Sequence, residues 1–560
     1  MQRRPLLVAV TALLTALVPA LPASSAPRDD ADSFEAYFPM DDGVTTLHAD
    51  VLRPKGADDE DRTPVILTVT PYGNHSGSTT ELGITDEGPN ERFYDFLDLT
   101  GVLEKGYTYV MVDLPGFGGS GGCNDWGGNR EQGAVRAAVE WAAAQPWSTG
   151  RVALLGKSYD AWTGLMGISQ QPEGLAAVVS MEPVFAGYRY LYNNGVRFLN
   201  SVATPAIFQA VDAKPGTLND TPQYHANGAP QAWCYGVNLG LQQIDDPNDP
   251  FWRERDLLIS SRGEETPLFL TQGFLEGNTK PDGAFDYWNG LDLEESRAWF
   301  GQFDHFRGWE RNGEGRYYTG REVFAAEVMR FLNEHLKGIE PKVDDPVVAV
   351  QDNRGRYRAE SRWPPADMSM YWSDLNTGTY RDDGLADTGT QQIWSFTEPL
   401  GHDVWLSGEP VVKVQVEAPA PRGNVVVDVF DVDATGNALL VNRGTSLLRG
   451  AGEQFATFEL YGQDWRVPAG HRIGVVIAGT DAESAGWWTH VPTGQTIEVM
   501  QARIGLPFLR YERRPKEYLD GGPTPDLERH LESGIDVAAE IDGAVRPFDL
   551  PGRLQKRPKS

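Results

Sequence analysis

The chain predicts an α/β fold with two parts: a parallel sheet covered by helices and interrupted by a helical cap, then a separate all-β domain. Three observations carry this expectation. From Pro64 to Leu336 short apolar runs alternate with amphipathic helical stretches, the pattern of βαβ units in a sheet covered on both faces. Between Glu182 and Arg262 that alternation stops and aromatic residues and prolines take over. After Pro346 the apolar residues fall at every second position, as in half-buried strands. At 560 residues the chain exceeds what one core encloses. The predicted division is a leader at 1–26, a sheet domain at 27–181 and 263–344 around a cap at 182–262, a β-sandwich at 345–550 and a basic tail at 551–560.

Composition narrows the function. Hydrophobic residues at 40% and charged residues at 23% are ordinary for a folded protein. A formal net charge of -30 argues against nucleic acid and against an anionic membrane surface, both of which need basic patches. Met1 to Ala26 has a positive start at Arg3-Arg4, an apolar core from Leu6 to Val18 and a small-residue exit at Ala23 and Ala26. It reads as a secretion signal, with twin-arginine export an option. Its apolar core is shorter than the roughly 20 residues of a membrane span, and no later stretch qualifies. Only Cys123 and Cys234 are present, a pair that an oxidising compartment would allow to join. No cluster has zinc-ligand spacing.

Taken in order, Phe34 to Leu52 reads as a hairpin turning at Asp41-Asp42-Gly43. Pro64 to Thr70 is a continuous apolar strand running into Pro71-Tyr72-Gly73. Tyr107 to Leu114 is a second, followed by the glycine-rich Pro115 to Gly121. That loop contains a literal G-x-G-x-x-G, at Gly116, Gly118 and Gly121. A dinucleotide site would need a helix to open directly after it, where Asn124 to Gly128 stand instead, so a tight turn is the better reading. Glu131 to Ala144 is an amphipathic helix and Ala176 to Met181 a strand. Beyond the cap, Pro267 to Thr271 and Arg297 to Gln302 are strands, and Arg321 to Leu336 is a helix. Val412, Val414 and Val416, then Val427, Val429 and Val432, open a set of short strands expected to build a sandwich or jelly roll.

The chemistry centres on Arg151 to Ala161. An apolar strand, Arg151 to Leu155, meets a helix, Tyr159 to Gln170, across only Gly156-Lys157-Ser158. With no residues left for a loop, the serine is forced into a strained turn and its hydroxyl is lifted clear of the sheet. This is the nucleophile elbow of an α/β-hydrolase, G-x-S-x-G, with Asp160 in the last glycine's place. The plain alternative is that Ser158 only caps the helix. A serine nucleophile also needs a base and an acid, found after later strands in the order Ser, Asp or Glu, His. Glu276 and His305 each follow a predicted strand in that order, and Asp282 or Asp286 could replace Glu276.

These residues, together with Thr70-Pro71-Tyr72, Asp113 with its glycine turn, Gln145 to Arg151, and Leu406 to Pro410, resemble the bacterial Xaa-Pro dipeptidyl-peptidase and cocaine-esterase-like serine hydrolases. The resemblance spans Phe34 to Leu550. It implies an α/β-hydrolase domain, a helical cap and a C-terminal jelly roll. It also implies Ser158 as nucleophile, His305 as base, and an oxyanion hole from the Tyr72 hydroxyl and the Tyr159 backbone N–H. The family's acid is normally Asp where Glu276 stands, and its glycine three residues after the serine is Ala161 here. The acyl-transfer mechanism needs neither cofactor nor metal. Three activities stay open: a dipeptidyl-peptidase acting on small peptides, an esterase or acylase acting on small acyl compounds, and an idle carbohydrate-binding protein. A dipeptidyl-peptidase must hold the substrate's free ammonium, and Asp160 and Glu182 are the carboxylates whose positions suggest that role.

Overall fold

The computed structural model describes residues 28–58, 60–76, 89–199, 204, 216–228, 232–383, 392–481, 487–489 and 491–557. The predicted leader at 1–26 and the last residues of the basic tail lie outside them. The larger sheet, that of the expected α/β-hydrolase domain, has ten strands. In chain order these are β1 (Ala31–Pro39), β2 (Thr46–Pro54), β3 (Thr63–Thr70), β4 (Thr108–Asp113), β5 (Ser148–Lys157) and β6 (Leu175–Met181), then, after a short cap hairpin of β7 (Tyr192–Asn193) and β8 (Val196–Phe198), β9 (Leu268–Gly273), β10 (Arg297–Gly301), β11 (Val348–Gln351) and β12 (Tyr357–Glu360).

Their order across the sheet is β1-β2-β4-β3-β5-β6-β9-β10-β11-β12. The strands from β4 to β11 run parallel to their neighbours, with antiparallel pairs at both ends. β5 shows why apolar runs predicted this. Val152 and Leu154 join one hydrophobic cluster, with α2 (Asn129–Ala144) and α3 (Tyr159–Gln170). Ala153 and Leu155 join another on the opposite face, with α1 (Tyr94–Thr100) and the helix Phe324–Lys337. Alternate side chains thus bury on opposite faces, and neither face reaches water.

The chain reverses its direction of strand addition at β3, which pairs with β4 on one side and β5 on the other. Crevices open at the carboxyl ends of strands where such a switch occurs. Here the β3 end carries Tyr72, between the glycine turn after β4 and the elbow after β5.

The cap is less uniformly helical than expected. Short helices at Gly187–Leu191, Pro222–Asn227, Ala232–Leu241, Pro250–Arg253 and Leu257–Ser260 accompany the β7–β8 hairpin. That hairpin pairs with Trp488–Thr489 of the C-terminal domain. Cys123 and Cys234 form a disulfide that ties the end of the glycine turn to the helix Ala232–Leu241. Among the cap aromatics singled out in the sequence, Phe208, Trp233 and Tyr235 lie outside the described side chains.

One expected boundary is corrected. The period-two region was to start the sandwich at 345, but β11 and β12 extend the hydrolase sheet, and the first sandwich strand is Met368–Asp374. Val348 and Val350 bury in one sheet-face cluster and Ala349 in the other. Periodicity shows which residues are buried; it does not show which sheet a strand joins.

The C-terminal domain is two sheets, of seven and five strands. Val412, Val414 and Val416 of one and Val425, Val427 and Val429 of the other share a core. The chain then returns to the hydrolase domain. Thr524 donates to the Gln302 carbonyl, and Asp526 accepts from the Asp304 N–H at 3.0 Å. Among the described residues no helix is long and apolar enough to cross a membrane.

Candidate active site

Ser158 stands between the end of β5 and the first turn of α3, half-buried, at φ 68° and ψ -123°. Its side chain makes no capping hydrogen bond to the helix, which sets aside the reading of Ser158 as a simple N-cap. Gly156 makes the sharp turn possible: a Cβ there would lie 2.3 Å from the Asp160 carbonyl group. The strand ends are laced together across the carboxyl edge. Ser158 N–H donates to the Met181 carbonyl (2.9 Å), Glu182 N–H to Thr271 (3.1 Å) and Phe274 N–H to Gly301 (2.7 Å). The loops after β5, β6, β9 and β10 therefore open on one edge.

Glu276 and His305 meet on that edge, with His305 Nδ1 3.4 Å from Glu276 Oε1. Glu276 is buried, and a turn of backbone amides wraps its carboxylate. It accepts from Asn278 N–H (2.5 Å), Thr279 N–H (2.9 Å) and Lys280 N–H (3.0 Å), as well as from the Thr279 hydroxyl. Burial alone would raise its pKa, but the neighbouring His305 and these donors outweigh it and hold the carboxyl at about 2. Glu276 therefore stays ionised beside the imidazole. The alternatives go elsewhere: Asp282 bonds Asn193 (2.7 Å) and Arg189 (3.3 Å), and Asp286 lies 3.1 Å from Arg189. Asp304, next to His305, accepts from Gly277 and His305 N–H groups, and burial together with the charge of Glu276 pushes it up to about 6.

Tyr72 is buried, with the Arg92 guanidinium stacked on its ring at 4.0 Å. Arg92 also pairs with Asp160 and donates to the Lys157 carbonyl at 3.1 Å. Asp160 is thus engaged behind the elbow, bracing Tyr72 through Arg92. Tyr159 is the first residue of α3, directly after Ser158. Its phenol points away, donating to Glu131 at 2.7 Å. Glu131 also accepts from the N–H groups of Asp125, Trp126 and Gly127, which shapes the loop that packs against the elbow.

Glu182 is fully buried at φ 52°, accepting from Gly273 N–H (3.0 Å) and the Thr271 hydroxyl (3.2 Å). Burial, then the charge of Glu276, pushes its carboxyl well above the usual range. It fills the seam between β6 and β9. Sequence reasoning missed Arg92, Glu131, Thr279 and Asp304. Only Glu131 had a readable signal, as an acid in the first turn of a helix.

The glycine turn after β4 has its own physical cause. Gly119 N–H donates to Asp113 Oδ2 at 2.9 Å, and a Cβ at Gly118 would lie 2.0 Å from that oxygen. The glycines let backbone wrap a carboxylate, so the motif needs no nucleotide to explain it.

An α/β-hydrolase sheet with a serine elbow and a carboxylate–imidazole pair on one edge defines a serine hydrolase. Residues 42–307 match the family described as X-Pro dipeptidyl-peptidase (S15 family), and residues 341–496 match the X-Pro dipeptidyl-peptidase C-terminal non-catalytic domain. A putative Xaa-Pro dipeptidyl-peptidase of Streptomyces avermitilis is 22% identical over 97% of this chain and 93% of its own. A CocE/NonD family hydrolase from Staphylococcus aureus superposes with a TM-score of 0.65 at 17% identity, over 86% of this chain and 94% of that one. An α-amino acid ester hydrolase gives 0.63 at 18% identity, over 88% and 99%. The two family matches together span most of the chain, which belongs to the X-Pro dipeptidyl-peptidase (S15) family of serine hydrolases, and the solved structures share its fold.

Proposed function

We propose that the protein is a secreted Xaa-Pro dipeptidyl-peptidase that works through an acyl-enzyme. The carrying observation is the strained, uncapped Ser158 on the same sheet edge as the Glu276–His305 pair. Ser158 attacks the carbonyl carbon of the proline residue while His305 takes its proton. The Tyr72 hydroxyl and Tyr159 N–H stabilise the oxyanion. His305 then protonates the leaving amine, and water releases the dipeptide by the reverse path. Glu276 holds the imidazole throughout. The leader at 1–26 directs export, and the two-sheet C-terminal domain is a jelly roll.

One observation favours a second reading, an esterase or acylase. Asp160 is engaged by Arg92 and Glu182 is buried in the sheet seam, so neither is placed to hold a substrate ammonium. Comparing a free Ala-Pro anilide with its N-acetylated form separates the two. Loss of a charge-assisted contact of roughly 2–5 kcal/mol lowers kcat/KM about 30-fold or more for the acetylated substrate. Equal rates, with faster turnover of short aryl esters, overturn the peptidase reading and leave the esterase.

A further inference from the structure

A second group of buried side chains lies outside the acyl-transfer machinery. β1 and β2 pair so that Glu35 faces Asp50 and Tyr37 faces His48. His48 and Asp50, two apart on one strand, point to the same face. The loop after β3 brings His75 to the same place, and Asp220 and Tyr224 of the cap close over it. His48, Asp50, His75 and Asp220 are all buried, and Glu35 retains 25% side-chain exposure.

The hydrogen bonding within this group is directional. His48 Nδ1 is 2.8 Å from Asp113 Oδ2, and His75 Nδ1 is 2.6 Å from Asp220 Oδ1. Each imidazole is therefore held by a carboxylate at Nδ1 and turns Nε2 inward. His75 Nε2 lies 3.1 Å from Asp50 Oδ2. His48 Nε2 is buried with no hydrogen-bond partner, 3.6 Å from Glu35 Oε2 and 3.9 Å from Asp50 Oδ1. Ligand atoms of His48, Asp50 and His75 all fall within 4.8 Å of one another. Two ligands of a tetrahedral zinc ion, each at about 2.1 Å, stand about 3.4 Å apart. The two Asp50 oxygens each face one imidazole, Oδ2 at 3.1 Å from His75 Nε2 and Oδ1 at 3.9 Å from His48 Nε2, and Glu35 Oε2 stands 3.6 Å from His48 Nε2, distances close to that value. Outer carboxylates at Nδ1 that orient two imidazoles are the usual second shell of such a centre.

We propose that His48, Asp50 and His75 bind one divalent transition-metal ion, zinc by its ligand set, that Glu35, 3.6 Å from His48 Nε2, swings in as the fourth ligand, and that the ion pins the loop carrying Tyr72 to the first hairpin. Two imidazoles and two carboxylates suit zinc better than calcium or magnesium, which take oxygen ligands. The partly exposed Glu35 provides the way in. The ion is structural: it joins β1, β2 and the loop that carries both Tyr72 and His75, and through Asp220 it steadies the cap. It takes no part in acyl transfer.

The test uses the full chain, stripped with a chelator, incubated with zinc chloride and desalted. Mass spectrometry of the metal should find one zinc per chain, and zinc should raise the thermal midpoint. A His48→Gln/Asp50→Asn variant, shown folded by circular dichroism, should retain none and show no zinc-dependent shift. Asp220→Asn, which alters only the outer shell, should weaken binding about 10–100-fold. Cobalt in the wild type should give the visible bands of a four-coordinate site. Zinc retained equally by wild type and double variant, or a wild type that retains no zinc and whose midpoint ignores zinc, overturns the proposal. The wild-type measurement decides even if the variant does not fold.

Discussion

At Ser158 the backbone is held at φ 68°, a conformation that an L residue adopts only when its surroundings compel it. The compulsion comes from Gly156 against Asp160 and from the Ser158 N–H bond to Met181. Ser158→Ala should abolish fluorophosphonate labelling and lower turnover about 10⁴-fold or more. Tyr72→Phe should cost about 10²–10³-fold in kcat with little change in KM, the size of one lost oxyanion donor. A Tyr72→Phe protein that loses stability and keeps its kcat would place the ring in packing instead. Glu276 adds a pH signature. Its carboxyl sits at about 2 in the folded protein against an ordinary 4.5. The folded state therefore binds this proton less readily than the unfolded state does. The resulting stability is complete above about pH 4.5 and is lost as pH falls through about 2. Glu276→Gln removes it, so the gap in urea stability between wild type and variant should narrow as pH is lowered from neutrality into that window. A gap of constant width would show that the carboxylate is not held in its charged form.

The elements around the site are joined by ties between distant parts of the chain. The Cys123–Cys234 bridge closes a loop with a sequence separation of 111 residues. Cross-links of that span stabilise by about 2–5 kcal/mol, chiefly by limiting the unfolded chain. The double variant Cys123→Ser/Cys234→Ser should lose that much in denaturant unfolding and become indifferent to reductant. An unchanged midpoint on reduction of the wild type would show that the bridge adds nothing to stability. The cap has a second tie in the pairing of Phe198 with Trp488, so it is fastened to both domains.

Across the whole molecule, the junction of the two domains is a buried charge network. Arg358 on β12 makes paired bonds to Asp464 of the sandwich, at 2.8 and 2.6 Å, and a third to Glu360 at 2.7 Å. Arg513 bonds Asp367 at 2.8 and 3.0 Å and also pairs with Glu360. Trp405 is packed between Arg358 and Arg466, 4.4 and 3.5 Å from its ring. Removing Arg358 leaves the buried Asp464 without its counter-charge, while Glu360 keeps Arg513. Arg358→Ala should therefore cost about 3–5 kcal/mol in denaturant unfolding. Arg358→Met with Asp464→Leu, which removes both charges, should recover most of the loss. A double variant as unstable as the single one would mean that packing against Trp405 carries the effect.

The sequence by itself determined what depends on neighbours along the chain. The elbow was legible because the apolar run and the helical pattern leave three residues between them, too few for a loop; α3 spans Tyr159–Gln170 as its pattern predicts, and β5 runs on to Lys157 so that only Ser158 stands between them. The covered parallel sheet was legible because strands buried on both faces must be apolar throughout. Order along the chain singled out Glu276 and His305, but only the fold brings Nδ1 to 3.4 Å from the carboxylate and sends Asp282 and Asp286 to Arg189. Period-two patterning could not assign β11 and β12 to the hydrolase sheet, because it records burial and carries no information about the partner strand. Nor could spacing reveal Glu35, His48, Asp50 and His75 as one cluster. They come from two strands and a loop, and meet only through the β1–β2 register and the turn after β3. A contact between residues far apart in sequence is set by the packing of whole elements, and only the tertiary structure contains that packing.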